Sequence, residues 1–396
     1  VKLPTSSDYP LVIHGDCVEV LKGLPDACID AVVTDPPYEL GFMGKAWDTS
    51  GIANSVELWR DVFRVLKPGG HALIFGGTRT FHRMAVAVED AGFEIRDSIA
   101  WLYGSGFPKS LNVSKAIDKV AGHWRGRAGE PTSSNDAMSG ANYARTPKGD
   151  PITDAAKQWD GWGTALKPAF EPVVVARKPL VGTVAANVVE HGTGALNVDG
   201  CRIGTTVETW PSSRSYPYGQ GGATYGSENA DTEPTGAVPL GRWPANVVLD
   251  DYTAAIVDEQ SGDIKGQVGM RQTQGNVTFT VGEPINAKRF DAGTTDTGGA
   301  SRFFYTAKAP GQERPSANGV AHPTVKPLDL MRWLIRLVTP PGGLVLEPFA
   351  GSGTTVEACI HEHMRCVAIE READYLPLID ERINRNNLSL FAGGEA

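Results

Sequence analysis

The sequence predicts an α/β fold: a mostly parallel sheet with helices on both faces, interrupted by a long loop-rich insertion. Three observations carry this expectation. Short apolar runs of strand length alternate with amphipathic helical stretches at both ends of the chain. Two strand-like runs break into chemistry-bearing corners, VVTDPPYEL at 32–40 and EPFAGSGTT at 347–355. Between them, residues 104–321 are rich in Gly, Ser, Thr, Pro and Asn, with sparse periodicity.

The N-terminal elements read in order. LVIHGD (11–16) and IDAVVTD (29–35) are short buried strands. Val56, Trp59, Val62, Phe63 and Leu66 share one face of a helix over 55–66, which KPGG (67–70) is expected to end. HALIFGG (71–77) is a further strand, 81–91 a helix closed by Gly92, and 93–103 one or two strands. In the middle, islands of order are expected at EPVVVARKP, TVAANVVEHG, RWPANVVLD and FFYTAKA; VAANVVEHG and PANVVLDD look alike but are too short to make a repeat. Order returns near His322, with a helix over 327–338, strand LVLEPF, a helix over 354–363, strand RCVAIE and a helix over 374–387.

Bulk properties bound the reading. The 396 residues imply two or more structural units, and 41% hydrophobic content supports a real core. No run of about 18 apolar residues is present, so no membrane span or membrane partner is expected. The first residues lack a basic segment followed by an apolar one, so no signal peptide is read. Cys17, Cys28, Cys201, Cys359 and Cys366 form no CxxC and read as reduced thiols of a cytoplasmic protein, with no metal site. A net charge of −9 argues against a nucleic-acid partner, but 101–150 is basic, with its cations concentrated between Lys109 and Arg127.

The two corners suggest their own chemistry. EPFAGSGTT lies between a strand and a helix, where α/β proteins bind ligands. Gly351 and Gly353 allow close backbone approach, while the missing lysine after the second glycine argues against a phosphate loop. The next strand ends on Glu370, placed to bond the two ribose hydroxyls of a nucleoside cofactor. In the other corner, Pro36 and Pro37 stiffen the backbone after Asp35. Asp35 and the Pro36 carbonyl can accept both hydrogens of an exocyclic amine, and Tyr38 can stack on its planar ring. That arrangement orients the amine lone pair and favours a pyramidal nitrogen in the transition state. The plainer alternative for DPPY is turn chemistry alone.

TDPPY, followed by a long insertion, HPTVKPLDLMRWLIRLVTPPGG and then the glycine loop, resembles the S-adenosylmethionine-dependent DNA amino-methyltransferases in their permuted β group. The resemblance covers about 11–103 and 322–385, and GSGFPKS, GTALKPAFEP and SRFFYTAK resemble phage and prophage members. It implies a Rossmann-like class I methyltransferase fold with a seven-stranded, mostly parallel sheet. The order of elements supports a circular permutation, with LVIHGD supplying the strand missing after the C-terminal helix. The implied domains are 1–103, the catalytic half; 104–321, the insertion with target recognition; and 322–396, the cofactor-binding half.

The resemblance also implies roles. Asp16 and the Cys17 backbone meet the cofactor adenine, and Thr324 and Lys326 its methionine end. Glu347, Pro348, Phe349, Ala350, Gly351, Ser352, Gly353 and Thr354 surround it, with Asp35 at the same pocket; Glu347 stands where aspartate is commoner. Trp101 matches an aromatic that stacks on the face of a flipped base opposite Tyr38. Lys109, Lys115, Arg125 and Arg127 are candidate DNA contacts. Plainer roles stand beside these: a core tryptophan, a turn aspartate, a loop lysine, a solvated basic face. His322 is read as structural.

The activity implied is methylation of adenine N6 in double-stranded DNA by a monomer or homodimer, in a bacterial or phage-infected cell. Methylation of cytosine N4 is the alternative. A DNA-binding protein without catalysis, or an enzyme acting on RNA or protein, is the remoter one.

Overall fold

The computed structural model describes residues 3, 10–40, 46–106, 110–123, 150–204, 241–265, 297–307, 315–317, 320–322 and 324–392. These fall into two compact units, one of residues 1–101 and 171–396 and a smaller one of residues 102–170.

The larger unit begins β1 (Leu11–His14), α1 (Cys17–Lys22), β2 (Ile29–Thr34), α2 (Val56–Val65), β3 (Leu66–Phe75), α3 (Phe81–Asp90) and β4 (Glu94–Leu102). The smaller unit holds α4 (Val113–Val120) and α5 (Asp154–Gln158). The chain then adds β5 (Phe170–Arg177), α6 (Val184–His191), β6 (Val247–Asp250), α7 (Asp251–Ser261), β7 (Ile264–Lys265), β8 (Thr297–Gly298) and β9 (Tyr305–Ala307). It closes with β10 (Ser316–Ala317), β11 (Val320–Ala321), α8 (Leu328–Val338), β12 (Leu344–Glu347), α9 (Thr354–His361), β13 (Arg365–Glu370) and α10 (Leu376–Ala392).

Nine strands form one sheet in the order β1-β13-β12-β2-β3-β5-β4-β6-β9, and two short antiparallel pairs, β10-β11 and β7-β8, form separate sheets. The strands from β1 to β3 are mutually parallel, β5 runs antiparallel to β3, and β6 and β9 are parallel to each other. β1 pairs with β13 in the register Leu11↔Val367, so the N-terminal strand completes the C-terminal half, as the permuted order predicts. β2 and β12 are fully buried neighbours, with Leu346 opposite Val32. Such apolar runs are what a central parallel strand covered on both faces requires.

Two expectations are corrected. The sheet has nine strands rather than seven, because β6 and β9 extend its far edge. Three of its strands, β5, β6 and β9, come from 104–321 and fall on the islands of order expected at EPVVVARKP, RWPANVVLD and FFYTAKA. KPGG does not terminate the α2 helix in a glycine cap. The helix ends at Val65 with Leu66 as its extended C-cap, and Lys67–Gly70 lie within β3. Gly69 takes φ +75° there, where β2–β3 pairing shifts register, and a Cβ on it would come within 2.4 Å of Asn187 Nδ2. The glycine thus serves a strand irregularity and close packing.

Helix α2 begins where Ser55 Oγ accepts from Leu58 N–H at 3.3 Å, and it buries Leu58, Trp59, Val62 and Val65. The Trp59 indole N–H donates to the Ala53 carbonyl at 2.8 Å, so the ring is buried without an orphan donor. Full burial of each such apolar side chain contributes about 1.5–3 kcal/mol. This layer fixes the positions of the strand ends that carry the functional groups.

Candidate active site

The sheet order predicts where chemistry can gather. β1, β13, β12 and β2 are neighbours pointing the same way, so their C-terminal ends share one rim. Asp16 follows β1, Glu370 ends β13, Glu347 ends β12 and Asp35 follows β2. Three steps between strands span about 14 Å at about 4.8 Å each. Ligands in open parallel sheets bind at this end.

The glycine loop sits between β12 and α9. Gly351 and Gly353 have φ +52° and +81°, in the left-handed region that a side chain rarely adopts. A Cβ on Gly353 would also stand 3.1 Å from Ile379 Cα. Ala350 N–H donates to the Ile369 carbonyl at 2.9 Å, tying the loop to β13. Gly351 N–H donates to Glu370 Oε2 and Glu372 N–H to Glu370 Oε1, both at 2.7 Å. Burial pushes the Glu370 carboxyl above its ordinary range, although these N–H bonds hold it down in part. Each Glu370 oxygen keeps a second lone pair for a hydroxyl donor. Beneath the loop, fully buried Arg382 donates from Nε to the Ser352 carbonyl at 2.8 Å and pairs with Glu357.

The Asp35 corner is denser. Lys326 Nζ donates to Asp35 Oδ2 at 2.6 Å and lies 3.3 Å from Glu171 Oε2. The Tyr38 hydroxyl donates to that same Glu171 oxygen at 2.8 Å, and Thr80 Oγ1 donates to the Tyr38 carbonyl at 2.7 Å. The ammonium also lies 5.2 Å from the Tyr38 ring centroid and 5.0 Å from that of Phe75. Burial alone would lower the Lys326 pKa, but the Asp35 and Glu171 carboxylates outweigh it and hold the ammonium above its ordinary range. Burial, then Asp35 and Glu171, likewise keep Tyr38 protonated. Asp35 Oδ1 is buried and has no hydrogen-bond partner. A carboxylate oxygen buried without a donor is costly unless a ligand supplies one.

Glu347 joins the two corners. Its Oε1 accepts from the Thr34 hydroxyl, immediately before Asp35, and from Phe349 N–H at 3.0 Å. Its Oε2 accepts from Thr355 Oγ1 at 2.6 Å, in the first turn of α9. Burial pushes the carboxyl up to about 8 in spite of these donors.

The structure thus brings together Asp35, Tyr38, Lys326, Glu347 and the 348–354 loop, with Glu370 beside the loop. Pro37 and Tyr38 line a small cavity with Asn54, Phe75, Phe81 and Met84. Asp16 caps α1, accepting from Val18 N–H at 2.9 Å, and Cys17 is buried behind it. Thr324 is exposed and bonded to His322, whose ring lies edge-on to Tyr375 at 4.7 Å. Trp101, 9% exposed, is the penultimate residue of β4, which neighbours β5 in the sheet. Lys115 is exposed on α4, while Lys109, Arg125 and Arg127 lie outside the described residues. Glu171 was missed from the sequence. Its one signal is an acid heading the apolar run PVVVA at 172–176. Among the described residues, no group of three or more His, Cys, Asp or Glu could hold a metal, and no helix is long and apolar enough to cross a membrane.

Comparison with known proteins places this rim in context. Part of the chain is 29% identical over 146 residues to Type II methyltransferase M.HindIII of Haemophilus influenzae, covering 36% of this chain and 38% of that protein. Another match, to Type II methyltransferase M.HpaI of Haemophilus parainfluenzae, is 31% identical over 115 residues, covering 28% and 37%. The matched segments span under two-fifths of the length of these relatives. Among solved structures, PvuII DNA methyltransferase (cytosine-N4-specific) aligns with TM-score 0.44 and 13% identity, over 94% of this chain and 85% of that one. TTHA0409 of Thermus thermophilus aligns with TM-score 0.41 and 16% identity, over 95% of each chain. A family model described as DNA methylase matches residues 29–381, a span that takes in the Asp35 corner, the glycine loop and Glu370, and the chain belongs to that family.

Proposed function

We propose that the chain is a site-specific DNA methyltransferase that moves the methyl group of S-adenosylmethionine to N6 of adenine in double-stranded DNA. The observation that carries this reading is Asp35 Oδ1, a buried acceptor without a donor, on the strand next to the glycine loop. The rim also fits the cofactor. Asp16, Glu370, the 348–354 loop and Asp35 follow one another along neighbouring strands, and in this reading they would meet the adenine, the ribose, the methionine end and the methyl-accepting base in turn. Thr324 and Lys326 stand at the methionine end in this reading. When bound, the cofactor supplies an electrophilic methyl group.

The chain's own residues do the rest. Lys326 fixes Asp35 through Oδ2, so Oδ1 is the acceptor left for one amino hydrogen of the base. The Pro36 carbonyl takes the other. Drawing on both hydrogens localises the lone pair that conjugation otherwise spreads into the ring. Tyr38 and Trp101 sandwich the base, which must leave the duplex to be reached. The methylated nitrogen is strongly acidic and gives its proton to Asp35 or to water. No covalent intermediate with the protein is needed. Segment 104–321 carries target recognition, with Lys109, Lys115, Arg125 and Arg127 among its DNA contacts. Aspartate as the first residue of the DPPY motif favours adenine over cytosine.

The test is transfer of labelled methyl groups to duplex DNA, RNA and protein, followed by nucleoside digestion and mass spectrometry of labelled DNA. The reading expects label in duplex DNA as N6-methyladenine. N4-methylcytosine would overturn the choice of base, and label in RNA or protein alone would overturn the choice of substrate.

A further inference from the structure

We propose that Glu171 is a positioning residue of the methyl-transfer corner, holding Lys326 and Tyr38 in place and keeping the corner net anionic. The proposal rests on the methyltransferase reading. Three observations support it. A single oxygen, Glu171 Oε2, meets both the Tyr38 hydroxyl at 2.8 Å and the Lys326 ammonium at 3.3 Å. Lys326 in turn meets Asp35 at 2.6 Å. All three charged side chains are largely withdrawn from water, with side-chain exposures of 8% for Lys326, 24% for Asp35 and 19% for Glu171.

The charges then decide the role. Asp35 with Lys326 alone is a neutral pair, whose field at the incoming amine largely cancels. Adding Glu171 leaves one net negative charge beside the unpartnered Asp35 Oδ1. During transfer the nitrogen–carbon bond forms as the sulfur–carbon bond breaks. Positive charge therefore arrives on the amine nitrogen, and it leaves afterwards as a proton. An anionic surrounding stabilises that arriving charge more than the neutral ground-state amine, which is what raises a rate. Glu171 also divides the hold on Lys326, so that the ammonium stays on the Oδ2 side of Asp35 and Oδ1 is left to the base.

The position is supplied by the fold. β5 runs antiparallel to β3, so its first residues lie at the rim where the parallel strands end. Gly76 N–H donates to the Pro172 carbonyl at 3.0 Å, which anchors the residue after Glu171 beside the end of β3.

Charge and shape are separated by two variants of the full chain. Glu171→Gln keeps the size and an acceptor oxygen but loses the charge. Glu171→Asp keeps the charge on a shorter stem. The proposal expects kcat for Glu171→Gln to fall at least tenfold, with Kd for S-adenosylmethionine and for duplex DNA within threefold of wild type. It also expects Glu171→Asp to be the faster of the two. A Glu171→Gln enzyme within twofold of wild-type kcat overturns the proposal. So does a Glu171→Asp enzyme slower than Glu171→Gln, because shape would then matter and charge would not. A cofactor Kd weakened as much as kcat falls also overturns it. Wild-type protein assayed alongside keeps the failures distinct. Without wild-type methyl transfer the methyltransferase reading fails, whereas with it only the role of Glu171 is at stake.

Discussion

Replacing Glu347 by glutamine should flatten the protein's stability against pH. The carboxyl is 1% exposed, and burial pushes its pKa from 4.5 up to about 8. Between those values the folded chain holds a proton that the unfolded chain has lost. Stability therefore falls as pH rises from 4.5 towards 8 and levels off above it. At about 1.4 kcal/mol per pH unit, the whole window is worth roughly 5 kcal/mol. His71 acts in the opposite sense. Burial, then Arg177 and Arg96, lower it from 6.5 to about 4, so its contribution rises with pH and is complete near 6.5. Between pH 6.5 and 8.0 the Glu347 slope therefore stands clear of that of His71, and it amounts to about 2 kcal/mol. Glutamine keeps an acceptor for Thr34 and Phe349 N–H but has no proton to lose. Urea unfolding of wild type and Glu347→Gln at both pH values gives the comparison. Wild type should lose about 2 kcal/mol more than the variant across the interval. Equal losses would refute the buried, proton-holding Glu347.

Other perturbations read separate parts of the structure. Gly353→Val forces a branched side chain to φ +81° with a Cβ 3.1 Å from Ile379 Cα. It should abolish S-adenosylmethionine binding in calorimetry and destabilise the fold by about 1–3 kcal/mol or more. Asn187→Ala removes the donor to the Pro68 and Thr193 carbonyls and the acceptor for Val181 N–H. It should cost about 1–3 kcal/mol of unfolding free energy. Cys17 is buried, and burial followed by the neighbouring Asp16 pushes its thiol up to about 12. Folded protein should show no iodoacetamide adduct at Cys17 at neutral pH, and denatured protein should show one, read by peptide mass spectrometry.

Much of the architecture was legible in local pattern, and the exceptions have physical reasons. β1, β2, β12 and β13 are apolar runs of strand length with acids at or just beyond their ends, so the strands and the ligand rim could both be read. The pairing of β1 with β13 was implied by the resemblance and its permuted order of elements, not by local pattern. ANVV shows where local reading stops. It is wholly helical in α6, whereas its second copy runs through a bend at Asn246 into β6. In α6 the Thr183 hydroxyl accepts from Ala186 N–H at 3.2 Å, and the Asn187 side chain is buried against Pro68 and Thr193. In the second copy its last valine, Val248, pairs with Tyr305 of β9. Nonlocal partners decided both, which propensity does not encode. The same limit hid Glu171. Its meaning depends on β5 pairing with β3, a contact between segments far apart in the chain. Lys326, read as a methionine-end residue, is held by two carboxylates that only the folded rim assembles.

The most direct test of the account is single-turnover methyl transfer by Asp35→Asn, measured beside its Kd for S-adenosylmethionine. The substitution is near-isosteric and leaves Lys326 its Glu171 partner. If Asp35 acts on the base, the rate should fall by about 10²–10³, or roughly 2.7–4 kcal/mol, while the Kd stays within threefold. A rate within a few-fold of wild type, or a Kd that collapses together with the rate, would contradict a corner that holds the amine separately from the glycine loop that holds the donor.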